Sequence, residues 1–447
     1  MSDVTAKQQP AKLPTRSMRR IVAASLFGTA LETYDIYLYG TAAALVFAPL
    51  FFPAGDNNVA LLLSISTFAI SFIARPIGAI VFGHFGDRIG RKKMLYITLL
   101  LMGASTMAIG LLPTYEVAGL WAPLLLCILR FAQGFGFAGE YSGAVLMLVE
   151  SAPAEKRGFY AGINNVGPVF GFVLSAGAFL LVGNSMSEQD FLAWGWRLPF
   201  LASVILLGIG VFVRTRLPES PVFEATKKTE AERPNRMPVF QVIRYYPKEL
   251  LLASGANICH FATFYIFSVF ALSYGKTTLG LSNATVLSIL MLAISLHVVF
   301  IPYASARSDR IGRKKSLYLG FGAIALTVFP FWALFSTGDY WPMLLGSCML
   351  MIAYSFVYGP LASFTTETFG PSVRFTGAAL AYNIGGIVGG GLAPVLATML
   401  LTEFGSPYPI AAYILILALV SITCVAFSRE TRAVDLLEDR ADKQNTI

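Results

Sequence analysis

Twelve apolar runs, at roughly 21–47, 59–83, 94–112, 121–149, 160–183, 196–213, 250–274, 284–304, 316–336, 341–366, 376–401 and 408–428, take up most of this 447-residue chain. Runs of this length leave few solutions. A hydrocarbon core about 30 Å thick is crossed by roughly 20 helical residues, and a backbone in lipid must satisfy its own polar groups, which an α-helix does within one segment. Composition agrees: 56% of the residues are hydrophobic and 13% charged, whereas a soluble domain carries about 25% charge. The sequence predicts an all-α polytopic membrane protein with twelve transmembrane helices. Gly and Pro inside the runs are tolerated because packed neighbours re-satisfy the backbone.

The net charge of +8 would raise the question of nucleic acid in a soluble chain. Its distribution points elsewhere. Of 33 Lys and Arg, 29 fall in the two tails and in the connections after spans 2, 4, 6, 8 and 10. Arg75 and Arg130 lie within spans, and Arg197 and Lys276 lie near the opposite face. Basic residues collect on the cytoplasmic side, so both termini are expected there, with no nucleic-acid partner. Residues 1–20 are polar, and the apolar stretch after them is too long for a signal-peptide core and lacks a small-residue cleavage site. Cys127, Cys259, Cys348 and Cys424 sit singly inside apolar runs and read as core residues, without the spacing of a zinc site or disulfide framework.

Arg214 to Lys248 is the one long hydrophilic connection, and it divides the spans six and six. The expected parts are a tail (1–20), a six-helix bundle (21–213), a linker (214–249), a second bundle (250–428) and a tail (429–447). The halves repeat. Asp87-Arg88-Ile89-Gly90-Arg91-Lys92-Lys93 recurs at an offset of 222 as Asp309-Arg310-Ile311-Gly312-Arg313-Lys314-Lys315. Glu150 and Arg157 recur as Glu367 and Arg374, and Asn165-Val166-Gly167 recurs as Asn383-Ile384-Gly385. Such a duplication places a substrate site near the bilayer midplane between the halves, with alternating access by rocking of one against the other.

From about residue 20 to 432 the sequence resembles the major facilitator superfamily and, within it, the metabolite:H+ symporter family. The broad likeness rests on Gly83-His84-Phe85-Gly86-Asp87-Arg88-Ile89-Gly90-Arg91-Lys92, on Arg130-Phe131-Ala132-Gln133-Gly134 and on Pro218-Glu219-Ser220. The narrower one rests on Glu32-Thr33-Tyr34-Asp35-Ile36-Tyr37-Leu38-Tyr39-Gly40, Arg75-Pro76-Ile77-Gly78, Gly139-Glu140-Tyr141 and Trp194-Gly195-Trp196-Arg197-Leu198-Pro199-Phe200. The resemblance implies two pseudo-symmetric six-helix bundles, a bacterial inner membrane, a monomer, no cofactor, and a small metabolite moved with protons. Thr33 and Ala138 depart from the family pattern. So does Ser305-Ala306-Arg307-Ser308 at the head of the second loop copy, which predicts a weaker gating role for that copy. Gly167-Pro168 in span 5 partly matches an antiporter motif and keeps exchange open as an alternative.

Charge inside spans is costly, about 2.5–3.5 kcal/mol each on the lenient scale, and marks pathways. The first half holds Glu32, Asp35, Arg75, Arg130 and Glu140; the spans of the second hold only His260 and His297. Glu32 and Asp35 share a helix face, and neighbouring carboxylates repel when both are ionised, so one of them takes up a proton readily. Asp35, with Glu32 or Glu140, is the expected proton carrier and Arg130 the expected carboxylate ligand. A charged aspartate would pair with the arginine, and a protonated one would release it. A permanent ion pair that only fixes packing is the competing reading. Gln133 lies one turn from Arg130. Arg75 is the weaker candidate, since it lies within snorkelling or buttressing reach of the loop motif.

Tyr34, Tyr354, Tyr382, Asn165 and Asn383 are expected polar contacts at the cavity, and His260 and His297 titrate in a useful range; helix packing is the alternative role for each. Gating on the basic face is assigned to Gly83, Asp87, Arg88, Gly90, Arg91, Glu150, Arg157 and Glu219, with Asp309, Arg310, Gly312, Arg313, Glu367, Arg374 and Glu430 as second-half counterparts. The leading expectation is proton-coupled import of a small organic, carboxylate-bearing metabolite. Uptake of a zwitterionic or neutral solute competes with it, because the five charged groups of the first half nearly cancel. A non-transporting sensor would need a soluble signalling domain. An enzyme would need an activated nucleophile, a metal cluster or a phosphate-binding loop, and the sequence has no such motif.

Overall fold

The computed structural model describes residues 15–53, 56–89, 91–137, 140–216, 238–371, 373–432 and 434. Among the described residues, and apart from short helices such as Phe47–Phe51 and Pro238–Tyr245, twelve longer helical segments follow one another. The first six are Thr15–Leu45, Asn57–Ile89, Arg91–Gly110, Trp121–Ser151, Ala154–Asn184 and the bent pair Glu188–Gly195 with Arg197–Arg216. The second six are Pro247–Thr277, Asn283–Ile311, Arg313–Phe335, Tyr340–Glu367, Arg374–Phe404 and Tyr408–Phe427. They are called spans 1 to 12. Among the described residues nine are long and apolar enough to cross a membrane, and the bent pair makes a tenth. Span 1 is the one carrying Glu32 and Asp35, and span 3 is short where its side chains are described, Tyr96–Gly110.

The helices outrun their apolar runs. Span 1 begins at Thr15 and is 31 residues long, about 46 Å at 1.5 Å per residue, so its polar first turns stand beyond the hydrocarbon. Spans 2 and 3 leave only Gly90 between them, and spans 8 and 9 only Gly312, whose φ of +100° is open to glycine. Span 6 bends by 48° at Trp196. That indole is fully buried among Phe47, Phe51 and Phe200, and Arg197 next to it donates to the carbonyls of Gly110 and Leu112 at 2.8 and 2.5 Å, closing the open end of span 3.

The two groups of six pack along spans 1, 2, 4 and 5 of the first and 7, 8, 10 and 11 of the second. Away from the basic face, Phe68 and Phe72 of span 2 meet Tyr265 of span 7 at 5.1 and 5.3 Å between ring centres, and Tyr37 of span 1 meets Phe264 at 5.4 Å. Single-turn π-bulges at Ile266–Phe270 and Ile387–Gly391 lie in spans 7 and 11. The second lets Phe72 rest on Gly390.

Candidate functional site

Arg130, in the first third of span 4, is fully buried. Its guanidinium lies 4.0 Å from the centre of the Tyr39 ring and 4.8 Å from that of Phe68, and one N–H is given to Gln133 Oε1. Gln133 Nε2 donates to Thr106 Oγ1 at 2.8 Å and reaches the Asp35 carbonyl at 3.5 Å. The Thr106 hydroxyl also lies beside the Asp35 carboxylate. Spans 1, 3 and 4 therefore carry one polar chain, Arg130–Gln133–Thr106–Asp35, inside an apolar bundle. The direct Arg130–Asp35 pair expected from the sequence is not formed in this state.

Arg75 departs further from expectation. It is 1% exposed and neither snorkels nor reaches back to the loop motif. Its guanidinium lies 4.0 Å from the Phe72 ring centre and 4.4 Å from Phe137, and it faces Tyr265 of the opposite half. Nε and Nη2 of both Arg75 and Arg130 have no hydrogen-bond partner, and among the described residues neither arginine has a carboxylate at ion-pair distance. Glu32 is buried on the same helix as Asp35. The side chain of Glu140 lies outside the described residues.

On the other side of the centre, spans 7, 8 and 10 converge on Tyr354. His260 Nδ1 is 2.6 Å from the Tyr354 hydroxyl, and the His297 ring stacks on Tyr354 at 5.2 Å. Both histidines are buried, and Nε2 of each has no partner. Below them Tyr382 stacks on Tyr141 of the first half at 4.2 Å and 18°. Tyr141 donates to Asn165 Oδ1 at 2.8 Å, and Asn165 Nδ2 donates to the Tyr358 carbonyl at 2.7 Å. A cavity remains beside this stack, lined by Tyr141, Asn257, His260, Tyr358, Thr365 and Tyr382. Asn383 is buried next to Tyr382. Tyr34 is not brought here: its hydroxyl donates to the Pro199 carbonyl at 2.8 Å, within the first bundle.

On the basic face the second loop copy, for which an irregular opening predicts a weaker role, contacts the first half among the described residues. Asp309 accepts from Gly158 N and Phe159 N at 2.8 and 2.9 Å across the halves. Arg313 binds Asp309 at 2.8 Å and grips Glu367 through two N–H groups at 3.1 and 3.2 Å, with Arg313 and Glu367 fully buried. Ser305 is small enough to fit over Gly162. Arg374 reaches Glu150 at 3.3 Å, a further contact between halves. Arg157 donates to the Val434 carbonyl at 3.1 Å. Glu430 accepts from the backbone of Arg313 and Lys314, while Arg310 is exposed. Gly90 and Glu219, and the side-chain surroundings of Gly83, Asp87, Arg88 and Arg91, lie outside the described residues.

Residues 26–390 match the family model of the Major Facilitator Superfamily. This chain belongs to that superfamily. The facilitator is 39% identical over 94% of its length to the inner membrane metabolite transport protein YhjE of Escherichia coli, covering 96% of that protein. It is 36% identical to the shikimate transporter of the same organism, over 96% and 98% of the two chains. Among solved structures the proton:xylose symporter XylE superposes with a TM-score of 0.77 over 95% and 99% of the chains at 18% identity, a likeness of fold. The chain is thus a multi-pass secondary transporter of the facilitator type and not an enzyme. Within this facilitator, Thr106, Tyr265 and Asn257 escaped the sequence reading, because a Thr, Tyr or Asn in an apolar run looks the same whichever way its helix is turned.

Proposed function

We propose that this transporter imports a small organic carboxylate together with protons, with Arg75 and Arg130 receiving the anion and Asp35 carrying the proton. The observation behind it is the pair of buried guanidiniums that lie against aromatic rings and, among the described residues, have no carboxylate at ion-pair distance and leave Nε and Nη2 without a hydrogen-bond partner. Isolated buried charge is expensive, and a carboxylate entering between the halves would supply two oxygens to the free N–H groups in the forked geometry that suits arginine. Arg75 faces the opposite half, and Arg130 is tied through Gln133 and Thr106 to Asp35. Protonation of Asp35 and anion binding are coupled through that chain. The His260–Tyr354–Tyr382 wall would hold the rest of the substrate.

On this reading the basic face is cytoplasmic, both termini lie inside, the membrane is a bacterial inner membrane, and residues 21–213 and 250–428 rock as two bundles of a monomer. The test is a thermal-shift screen of organic acids at two pH values, followed by uptake into proteoliposomes with and without an inward proton gradient. Accumulation of a carboxylate that needs the gradient supports the proposal. Competition by betaines and amino acids but not by acids would replace it with zwitterion uptake. Uptake driven only by a preloaded anion would replace it with exchange.

A further inference from the structure

Helix Pro238–Tyr245 has no part in that reading. It lies on the basic face, ends just before Pro247 opens span 7, and shows two unlike sides. On one, buried Val242 and Tyr246 and half-buried Val239 pack on Phe369 and Val373 at the turn between spans 10 and 11. On the other, Phe240 is 68% and Ile243 54% exposed, with Arg244 beside them.

Two facts say what covers that side. Leu251, on the first turns of span 7, is 71% exposed on the surface that lipid must cover, so the helix sits where the bilayer begins. From Arg233 to Lys248 the chain carries Arg233, Arg236, Arg244 and Lys248 and no carboxylate. Bulky apolar residues on one flank with basic residues around them is the pattern of a helix lying in the headgroup layer, held by apolar burial and by anionic lipid.

We propose that helix 238–245 lies flat in the leaflet on the basic face, with Phe240 and Ile243 at the acyl boundary and Arg244 and Lys248 on the phosphates of anionic lipids. The inference rests on the membrane fold and is independent of the substrate.

The test is hydrogen–deuterium exchange of the full-length protein in nanodiscs of phosphatidylcholine alone or with about one third phosphatidylglycerol. Amides of residues 238–248 are expected to exchange at least about fivefold more slowly with the anionic lipid. The charge variant Arg244→Gln with Lys248→Gln should erase that difference while leaving the exchange of spans 9 and 12 as it was. Phe240→Ser with Ile243→Ser should speed exchange of the segment in both lipids. Equal exchange in the two lipids, or an anionic-lipid effect that survives the charge variant, overturns the proposal. Slow exchange indifferent to lipid and to all four substitutions would mean that protein covers this face.

Discussion

Asp309 on span 8 accepts the amide of Gly158 on span 5 at 2.8 Å, so a side chain of the second half caps a helix of the first. Its other oxygen takes the next amide, Phe159 N, at 2.9 Å. A carboxylate at a helix N-terminus satisfies orphan donors and meets the positive end of the dipole. Asp309→Asn keeps the shape and loses the charge. It should weaken closure of the basic face by about 1–2 kcal/mol, near tenfold in population. Spin labels on exposed Lys156 and Arg307 would read this as a longer inter-label distance; an unchanged distribution would refute it.

Gly158 is glycine because nothing larger fits. A Cβ there would stand 2.8 Å from both Asp309 Oδ1 and Ser308 Oγ and would overlap the Arg313 guanidinium. Gly158→Ala should cost the closed state about 1–3 kcal/mol and slow transport severalfold. Gly183→Ala, where a Cβ meets nothing within 4 Å, is the matched control. Equal transport rates for the two variants would count against the close approach.

Removing Glu367 leaves the buried Arg313 with Asp309 as its remaining carboxylate partner among the described residues. Glu367→Gln should lower stability by about 1–3 kcal/mol, read as a fall in melting temperature in detergent. Replacing both, Arg313→Met with Glu367→Leu, should recover much of that loss without restoring transport. A double variant with normal transport would make the pair a packing element alone.

Arg75→Lys keeps the charge but loses the fork and the flat face that lies on Phe72 and Phe137. Charged hydrogen bonds contribute about 1.5–3 kcal/mol each, so affinity for a carboxylate substrate should fall roughly 10- to 100-fold, measured by titration calorimetry. Native affinity in the lysine variant would remove Arg75 from the site.

Asp35→Asn should abolish accumulation driven by a proton gradient and leave counterflow of substrate intact, both followed in proteoliposomes. Full accumulation by this variant would move the proton to another group.

The twelve helices and the repeat could be read from the sequence because apolar length and an offset of 222 need no knowledge of rotation about a helix axis. Rotation is what the sequence hides. Tyr34 and Asp35 are adjacent, yet one hydroxyl goes to Pro199 and the other side chain to Thr106. Arg75 reads as a residue near a basic loop because its stem is long enough to reach it; only the placement of Phe72, Phe137 and Tyr265 explains why it stays inside. Likewise the glycine pattern missing from the second loop copy looks like weakened packing. In the structure the glycines that matter, Gly158 and Gly162, are on the facing helix, and Ser305 needs only to be small.

Glu430 gathers the amides of Arg313, Lys314, Thr431 and Arg432, and Lys314 Nζ holds the carbonyls of Ala426 and Ser428. The few residues after span 12 are thus a clasp sewn to the start of span 9, and Thr431 extends it to Glu367. For anyone cutting or fusing this protein, the usable carboxyl-terminal boundary lies beyond residue 434. A truncation before Glu430 would leave the head of span 9 uncapped and loosen the buried ion pair of the gate without touching a membrane helix.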